Sequence, residues 1–304
     1  MRAPWMFLAW LTLGGCQLLL DVDSTQCERD ADCTGLLGRG YTCASTGICK
    51  RDAVSSPGPM ADAGPQLAAR WACVEEEPMK PPVVNVSERV SVIFDVLDFT
   101  TLEPPAGLTV RACGPTDVSC LTPLQEDVRP DEDGFVMLEL PRGFTGFYEI
   151  DAPGFLPGLS VGNRPMSEDT TFQGPTMVSP RAQADLAMLG GEMIDATRGT
   201  VVVEVVDCDG GPGDGVRVEM KDEEDQHAFY FEGALPDRQL SATVVTHALG
   251  RPGGEPRAVA GFSNVKPNYV TFVATLLRPE RVVSTFAAQV RAGSITFIRM
   301  QAGY

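Results

Sequence analysis

Nine cysteines, a serine in a Gly-x-Ser-x-Gly frame and a run of three aromatics are the residues whose types and spacing could do chemistry. Cys27, Cys33, Cys43 and Cys49 fall close together, separated by five, nine and five residues. Structural zinc sites use cysteine pairs two to four residues apart, so this spacing favours disulfides over thiolate–metal bonds. Sequence leaves their three possible connectivities open. Cys113 and Cys120 flank Gly114-Pro115-Thr116-Asp117-Val118-Ser119, a loop that can close on itself, so they pair; Cys73 and Cys208 are then left to each other. Closing so long a loop is worth about 4 to 5 kcal/mol in the chain-entropy treatment.

Ser160 lies in Gly158-Leu159-Ser160-Val161-Gly162, the frame of a nucleophile elbow. Such an elbow needs a strand before the serine and a helix after it, which lifts the hydroxyl onto a sharp turn. Pro157 precedes the motif and Asn163-Arg164-Pro165 follows, which blocks an immediate helix; His247 could be the base, but no glycine-rich oxyanion loop accompanies it. A serine hydrolase using Ser160 is therefore the alternative, and no enzyme the first expectation. His227 and His247 are too few for a histidine zinc centre. Asp131, Asp133 and Gly134 have calcium-loop spacing, but Arg129 and Leu140 take the positions of essential ligands, so the segment reads as an Asp-Gly hairpin turn. Asp222-Glu223-Glu224-Asp225 reads as solvated loop charge. Phe229, Tyr230 and Phe231 could carry a sugar, although alternation sets Phe229 and Phe231 on one face and Tyr230 on the other, as a core would. No cofactor is expected.

The elements that must position these residues are strands. Apolar residues recur with period two at Val90, Val92, Phe94 and Val96; at Leu108, Val110 and Ala112; at Val136, Leu138 and Leu140; and at Phe144, Tyr148 and Ile150. The same period returns at Val201 to Val205, Val216 to Met220, Val270 to Leu276 and Phe286 to Val290. Pro/Gly turns separate the runs, so the chain reads as all-β, two tandem Ig-like antiparallel β-sandwiches after a small disulfide-rich module. Ser179-Pro180, with Ala182, Leu186 and Leu189 on one face and Gly190-Gly191 behind, predicts one short connecting helix. The expected domains are 16–26 tether, 27–49 Cys-rich module, 50–68 Pro/Gly/Ala linker, 69–165 first sandwich, 166–198 connector and 199–304 second sandwich.

The formal charge of −17 excludes nucleic acid as a partner, because phosphates demand Lys and Arg. Residues 1–15 have a basic start at Arg2, an apolar stretch from Trp5 to Leu13 and small residues before Cys16, the pattern of a cleaved secretory signal. Leu13-Gly14-Gly15-Cys16 resembles the lipobox of bacterial lipoproteins. That resemblance implies lipidation at Cys16, a membrane partner through the anchor, and, with Gln17 in place of Asp, the outer membrane. Cys27-Glu28-Arg29-Asp30-Ala31-Asp32-Cys33 resembles the Cys-rich segments that follow lipoboxes in exported proteins of GC-rich bacteria. With Cys16 spent on lipid, eight cysteines remain, an even set suited to the oxidising envelope.

The segment from Val90 through Asp98 to Val110 matches that from Thr200 through Asp207 to Val218: an apolar strand ending in Asp, a Pro/Gly loop, then an alternating strand. With Gly261-Phe262-Ser263-Asn264-Val265-Lys266-Pro267-Asn268-Tyr269-Val270 in the second copy and Leu140-Pro141-Arg142-Gly143-Phe144 in the first, it resembles the carboxypeptidase regulatory-like, or transthyretin-like, β-sandwich family. Asn268 stands where that family has Gly, a place where Asn tolerates the left-handed conformation. The resemblance implies a fold and a habit of binding or spacing, with no catalytic set. The expected function is a lipid-anchored envelope module for binding or structure, with an envelope protein or glycan as partner.

Overall fold

The computed structural model describes residue 29, the segments 41–43 and 49–51, residues 69–75, and residues 85–304 apart from 190, 222, 224–225, 227, 234, 247–248 and 250–253. The chain divides into two units, Met1–Pro59 and Met60–Tyr304. In the first, β1 (Tyr41–Cys43) and β2 (Cys49–Arg51) pair antiparallel with Cys43 opposite Cys49. Cys16, Cys27, Cys33, the side chains of Cys43 and Cys49, the tether and linker residues 52–68 lie outside the described residues.

In the second unit, each alternating run becomes a strand because its apolar side chains share one face and can be buried together. The strands are β3 (Asn85–Asp95), β4 (Leu97–Asp98), β5 (Thr109–Cys113), β6 (Gln125–Val128), β7 (Phe135–Arg142), β8 (Phe147–Asp151), β9 (Gly158–Gly162), β10 (Thr170–Phe172) and β11 (Thr176–Met177). Helix α1 (Pro180–Leu189) follows, started by Ser179, whose hydroxyl accepts the Ala182 N–H at 3.2 Å. Then come β12 (Gly199–Val206), β13 (Val216–Met220), β14 (Phe229–Glu232), β15 (Leu235–Asp237), β16 (Val245–Thr246), β17 (Arg257–Val265), β18 (Asn268–Leu277), β19 (Glu280–Val290) and β20 (Ile295–Gln301).

The two copies are topological duplicates. In the first, β3 pairs antiparallel with β7 and parallel with β10, while β8 lies antiparallel between β5 and β9. In the second, β12 pairs antiparallel with β17 and parallel with β20, while β18 lies antiparallel between β13 and β19. The repeat read from Asp98 and Asp207 therefore extends over six strands per copy. Both aspartates close their turns as the sequence implies: Asp98 accepts the Thr100 N–H at 2.8 Å, and Asp207 accepts the Gly211 N–H at 2.7 Å.

The copies are joined by a parallel pairing of β9 with β20, which merges one sheet from each into a single sheet, β15-β14-β17-β12-β20-β9-β8-β5-β6. Cross-strand partners share a face. One row runs Tyr148, Ser160, Phe297, Val202, Gly261, Phe229; the next runs Phe147, Val161, Ile298, Val203, Ala260, Tyr230. Tyr148 belongs to the first core, with Phe94 and Leu138, whereas Ile298, Val203 and Tyr230 belong to the second, with Phe262 and Phe272. The two cores thus lie on opposite faces of one continuous sheet.

Two boundaries and one turn differ from the sequence reading. Residues 69–75 pack on the second sandwich, where Trp71 enters the core and Arg70 pairs with Asp207 at 2.6 Å, because the apolar indole finds burial there. Residues 170–172 and 176–177, expected in the connector, add β10 and β11 to β3 and β4. Asp131-Glu132-Asp133-Gly134 makes a turn, with Asp131 accepting the Phe135 N–H at 2.8 Å, but it is not a hairpin: β6 pairs with β5 and β7 with β3, so the turn crosses between sheets.

Candidate functional site

Cys73–Cys208 and Cys113–Cys120 are both bonded. Glu149 lies beside Cys113 and Cys120, but those sulfurs are joined, and the carboxylate is gripped by Arg111 and, at 2.5 Å, by Arg291, so the trio offers a metal no thiolate. Arg291 also donates to the Val118 carbonyl at 2.6 Å, tying the end of β19 to the Cys113–Cys120 loop.

The opposite face of the same sheet carries a polar cleft of about 240 Å³. Ser160 and Tyr148 line it, and the turn after β9 walls it with Arg164 and Glu168, paired at 2.6 Å. Asn163 fixes that turn: its amide donates to the Gln301 carbonyl at 2.8 Å and to Ser284 Oγ at 2.9 Å, and its oxygen accepts the Gln301 N–H at 2.8 Å. Tyr148 packs its ring 5.3 Å from Phe94, and its buried hydroxyl has no partner. Burial pushes the Tyr148 pKa upward, so the hydroxyl keeps its proton and can donate it.

Arg299 also lines the cleft, its guanidinium 5.7 Å over the Phe172 ring. It meets Glu204 at 3.0 Å, and Arg257 meets the other oxygen of the same carboxylate at 3.0 Å. Burial alone would raise the Glu204 pKa, but the two guanidinium charges and their hydrogen bonds outweigh it and hold the group below its ordinary value. Arg257 reaches on to the Gly174 carbonyl at 3.3 Å. Gly174 is required there, since a Cβ would fall 1.9 Å from the Asp95 carbonyl oxygen.

Ser160 does not form an elbow. It sits within β9, paired with Tyr148 on one side and Phe297 on the other, and α1 does not begin until Pro180. A serine flat in a sheet interior lacks the strained turn that exposes a nucleophile and the helix N-terminus that follows it. This overturns the hydrolase geometry; His247 and His227 lie outside the described residues.

The aromatic triplet also departs from a sugar platform. Phe229 and Phe231 are 9% and 7% exposed, their rings edge to face at 5.6 Å, and Tyr230 is buried in the second core. Its hydroxyl accepts the Val218 N–H at 3.1 Å, and burial raises its pKa. Phe229 packs the tip of its ring against Gly261, where a Cβ would come within 2.3 Å of it. The alternation noted in the sequence wins: these rings pack inward, and Phe229 and Phe231 line an apolar cavity of about 90 Å³ beneath α1. Of the acidic run, Glu223 pairs with Lys266 at 3.4 Å; Asp222, Glu224 and Asp225 lie outside the described residues.

Sequence reasoning missed Tyr148, Glu204, Arg257 and Arg299 as site residues. A signal existed for two of them, since Glu204 interrupts a run of valines and Arg299 an apolar strand. Charge at such places must find a partner.

The fold defines an all-β protein of two joined sandwiches. No family model matches the chain, and no curated protein does. Among solved structures, the Bacillus anthracis TIE protein matches over 70% of this chain at 10% identity and a TM-score of 0.20, and the chain spans 33% of that protein's length. A CBM26 module from Eubacterium rectale Amy13K, in complex with maltoheptaose, matches over 70% of this chain and 92% of its own at 7% identity and 0.22. BcpA, the major pilin subunit of Bacillus cereus, matches over 67% and 68% at 7% identity and 0.20. Scores this low carry no argument about function.

Proposed function

We propose that this chain is a lipid-anchored protein of the bacterial cell envelope, at the outer membrane, whose paired sandwiches act as a non-catalytic module for binding or structure. The observation that carries the reading is the continuous sheet: a body whose two cores share one set of strands holds its surfaces at fixed separation, as a spacer or docking module must. The two disulfides support an oxidising compartment, and the lipobox-like Leu13 to Cys16 supports the anchor. Cys16→Ser tests it. The unaltered chain is expected in the membrane fraction with acyl mass on its N-terminal cysteine, and the variant in the soluble envelope fraction; an unmodified thiol at Cys16 overturns the anchor.

A glycan as partner is favoured by one feature, the unpartnered Tyr148 hydroxyl in a cleft that mixes donors and acceptors from Ser160, Arg164, Glu168 and Arg299. Hydroxyl-rich ligands present both to such a wall. Retention on envelope polysaccharide is expected to fall with Ser160→Phe, which fills the cleft, and to survive Tyr269→Ala, an exposed residue elsewhere. Equal retention of both variants removes the glycan reading and leaves the anchor untouched.

A further inference from the structure

We propose that the cavity beneath α1 is a binding site for a short apolar molecule carrying one hydrogen-bond donor, such as a small straight-chain alcohol. The cavity lies on the face of the shared sheet opposite the second core. Val202, Val259 and Phe297 form its floor, Phe229 and Phe231 one wall, and Ala187 of α1 part of its roof. Apolar cavities of this kind stay dry and take up hydrocarbon; one of roughly 150 Å³ accepts benzene. At about 90 Å³, this one suits a chain rather than a ring.

One polar group in the lining keeps an atom without a hydrogen-bond partner. Glu192, just after the helix, pairs through Oε1 with Arg238, and both residues line the cavity. Its second oxygen, Oε2, is buried and accepts no hydrogen bond. A buried carboxylate oxygen left open costs free energy that a donor on the ligand recovers. The site therefore asks for a hydrocarbon body with a hydroxyl or ammonium at one end. Gln183, the other polar side chain of the helix here, is already engaged with Thr200 at 2.8 Å. This site is separate from the cleft and stands whether or not the chain is lipidated.

The test is a methyl-resolved NMR titration of the full chain with butan-1-ol and, as the donor-free match, 1-chlorobutane. Saturable shifts confined to Ala187, Val202, Leu249 and Val259 are expected, with butan-1-ol binding about tenfold more tightly. In Glu192→Ala, that preference is expected to fall below about twofold. Ala187→Phe, which fills the cavity, is expected to abolish both sets of shifts; Ala187→Leu is read the same way if the larger residue prevents folding. Xenon-129 NMR on the unaltered chain adds a measurement free of substitutions, in which butan-1-ol displaces bound xenon. Absence of saturable shifts at these methyls, or binding unchanged in the filled variant, overturns the site; a preference unchanged in Glu192→Ala overturns the role of the carboxylate.

Discussion

The polar cleft and the apolar cavity occupy the same face of the same sheet, on either side of β20, yet differ in the chemistry at their centres. The cleft centres on Ser160, Arg299 and an unpartnered phenol; the cavity centres on Phe297, Val202 and two phenylalanines. Two residues along the strands separate them: Val202 gives way to Glu204, and Phe297 to Arg299. What covers the sheet decides the rest. Helix α1 closes the apolar half, while the turn after β9 and the strap at Gly174 close the polar half through charge and backbone carbonyls. A binding surface can thus change character within one sheet without any change in backbone.

Five substitutions break or sharpen this contrast. Glu204→Ala strikes the polar half hardest, because it strands two guanidinium groups against the sheet, and should cost about 3 to 5 kcal/mol in urea denaturation. On the apolar side, Phe231→Ala should cost about 3 kcal/mol, part of it the price of a larger void. Acid separates the halves further. The folded-state pKa of Glu204 lies below its ordinary 4.5, so the unfolded chain binds more protons in the window below that value, and stability is lost as pH falls from about 4.5 through the folded pKa. Glu204→Gln should flatten that part of the stability profile, whereas Phe231→Ala should shift the profile down without changing its slope. The smallest effect compares two buried tyrosines. Tyr148→Phe removes a hydroxyl that bonds nothing and should stabilise by about 1 kcal/mol, while Tyr230→Phe removes the acceptor of the Val218 N–H and should destabilise by about the same amount. Equal signs for the pair would mean that the Tyr148 hydroxyl is satisfied.

Much of this was legible in the sequence. Strands with one face in a core, such as β3, β7, β13 and β18, alternate cleanly, and their inward residues are those now buried. Ser179 announced the helix, and loop length alone paired Cys113 with Cys120. Of the expected helix face, Leu186 lines the cavity and Ala182 is half-buried, while the buried residue is the neighbouring Ala187. The joined sheet was not legible. Strands β9, β17 and β20 are covered on both faces, so their alternation is blurred; in β20, Ile295, Thr296 and Ile298 are all buried. Pairing between edge strands of two repeats leaves no local period at all. The site residues followed from that pairing, which is why Tyr148 and Arg299 could not be brought together from spacing. The left-handed asparagine was also misplaced: Asn264, not Asn268, has positive φ (56°), and its side chain bonds the Asp195 N–H and the Met193 carbonyl beyond α1.

The Cys73–Cys208 bond has a mechanical consequence. Both of its sulfurs belong to the second sandwich, and the whole first sandwich, from β3 to β11, lies in the loop the bond closes. Tension applied to the chain ahead of Cys73 and behind Cys208 runs through sulfur and bypasses the backbone of those strands. A pull on the chain ahead of Cys73 would therefore load the second sandwich through its disulfide before the backbone of the first, whose β9 is engaged only through its pairing with β20.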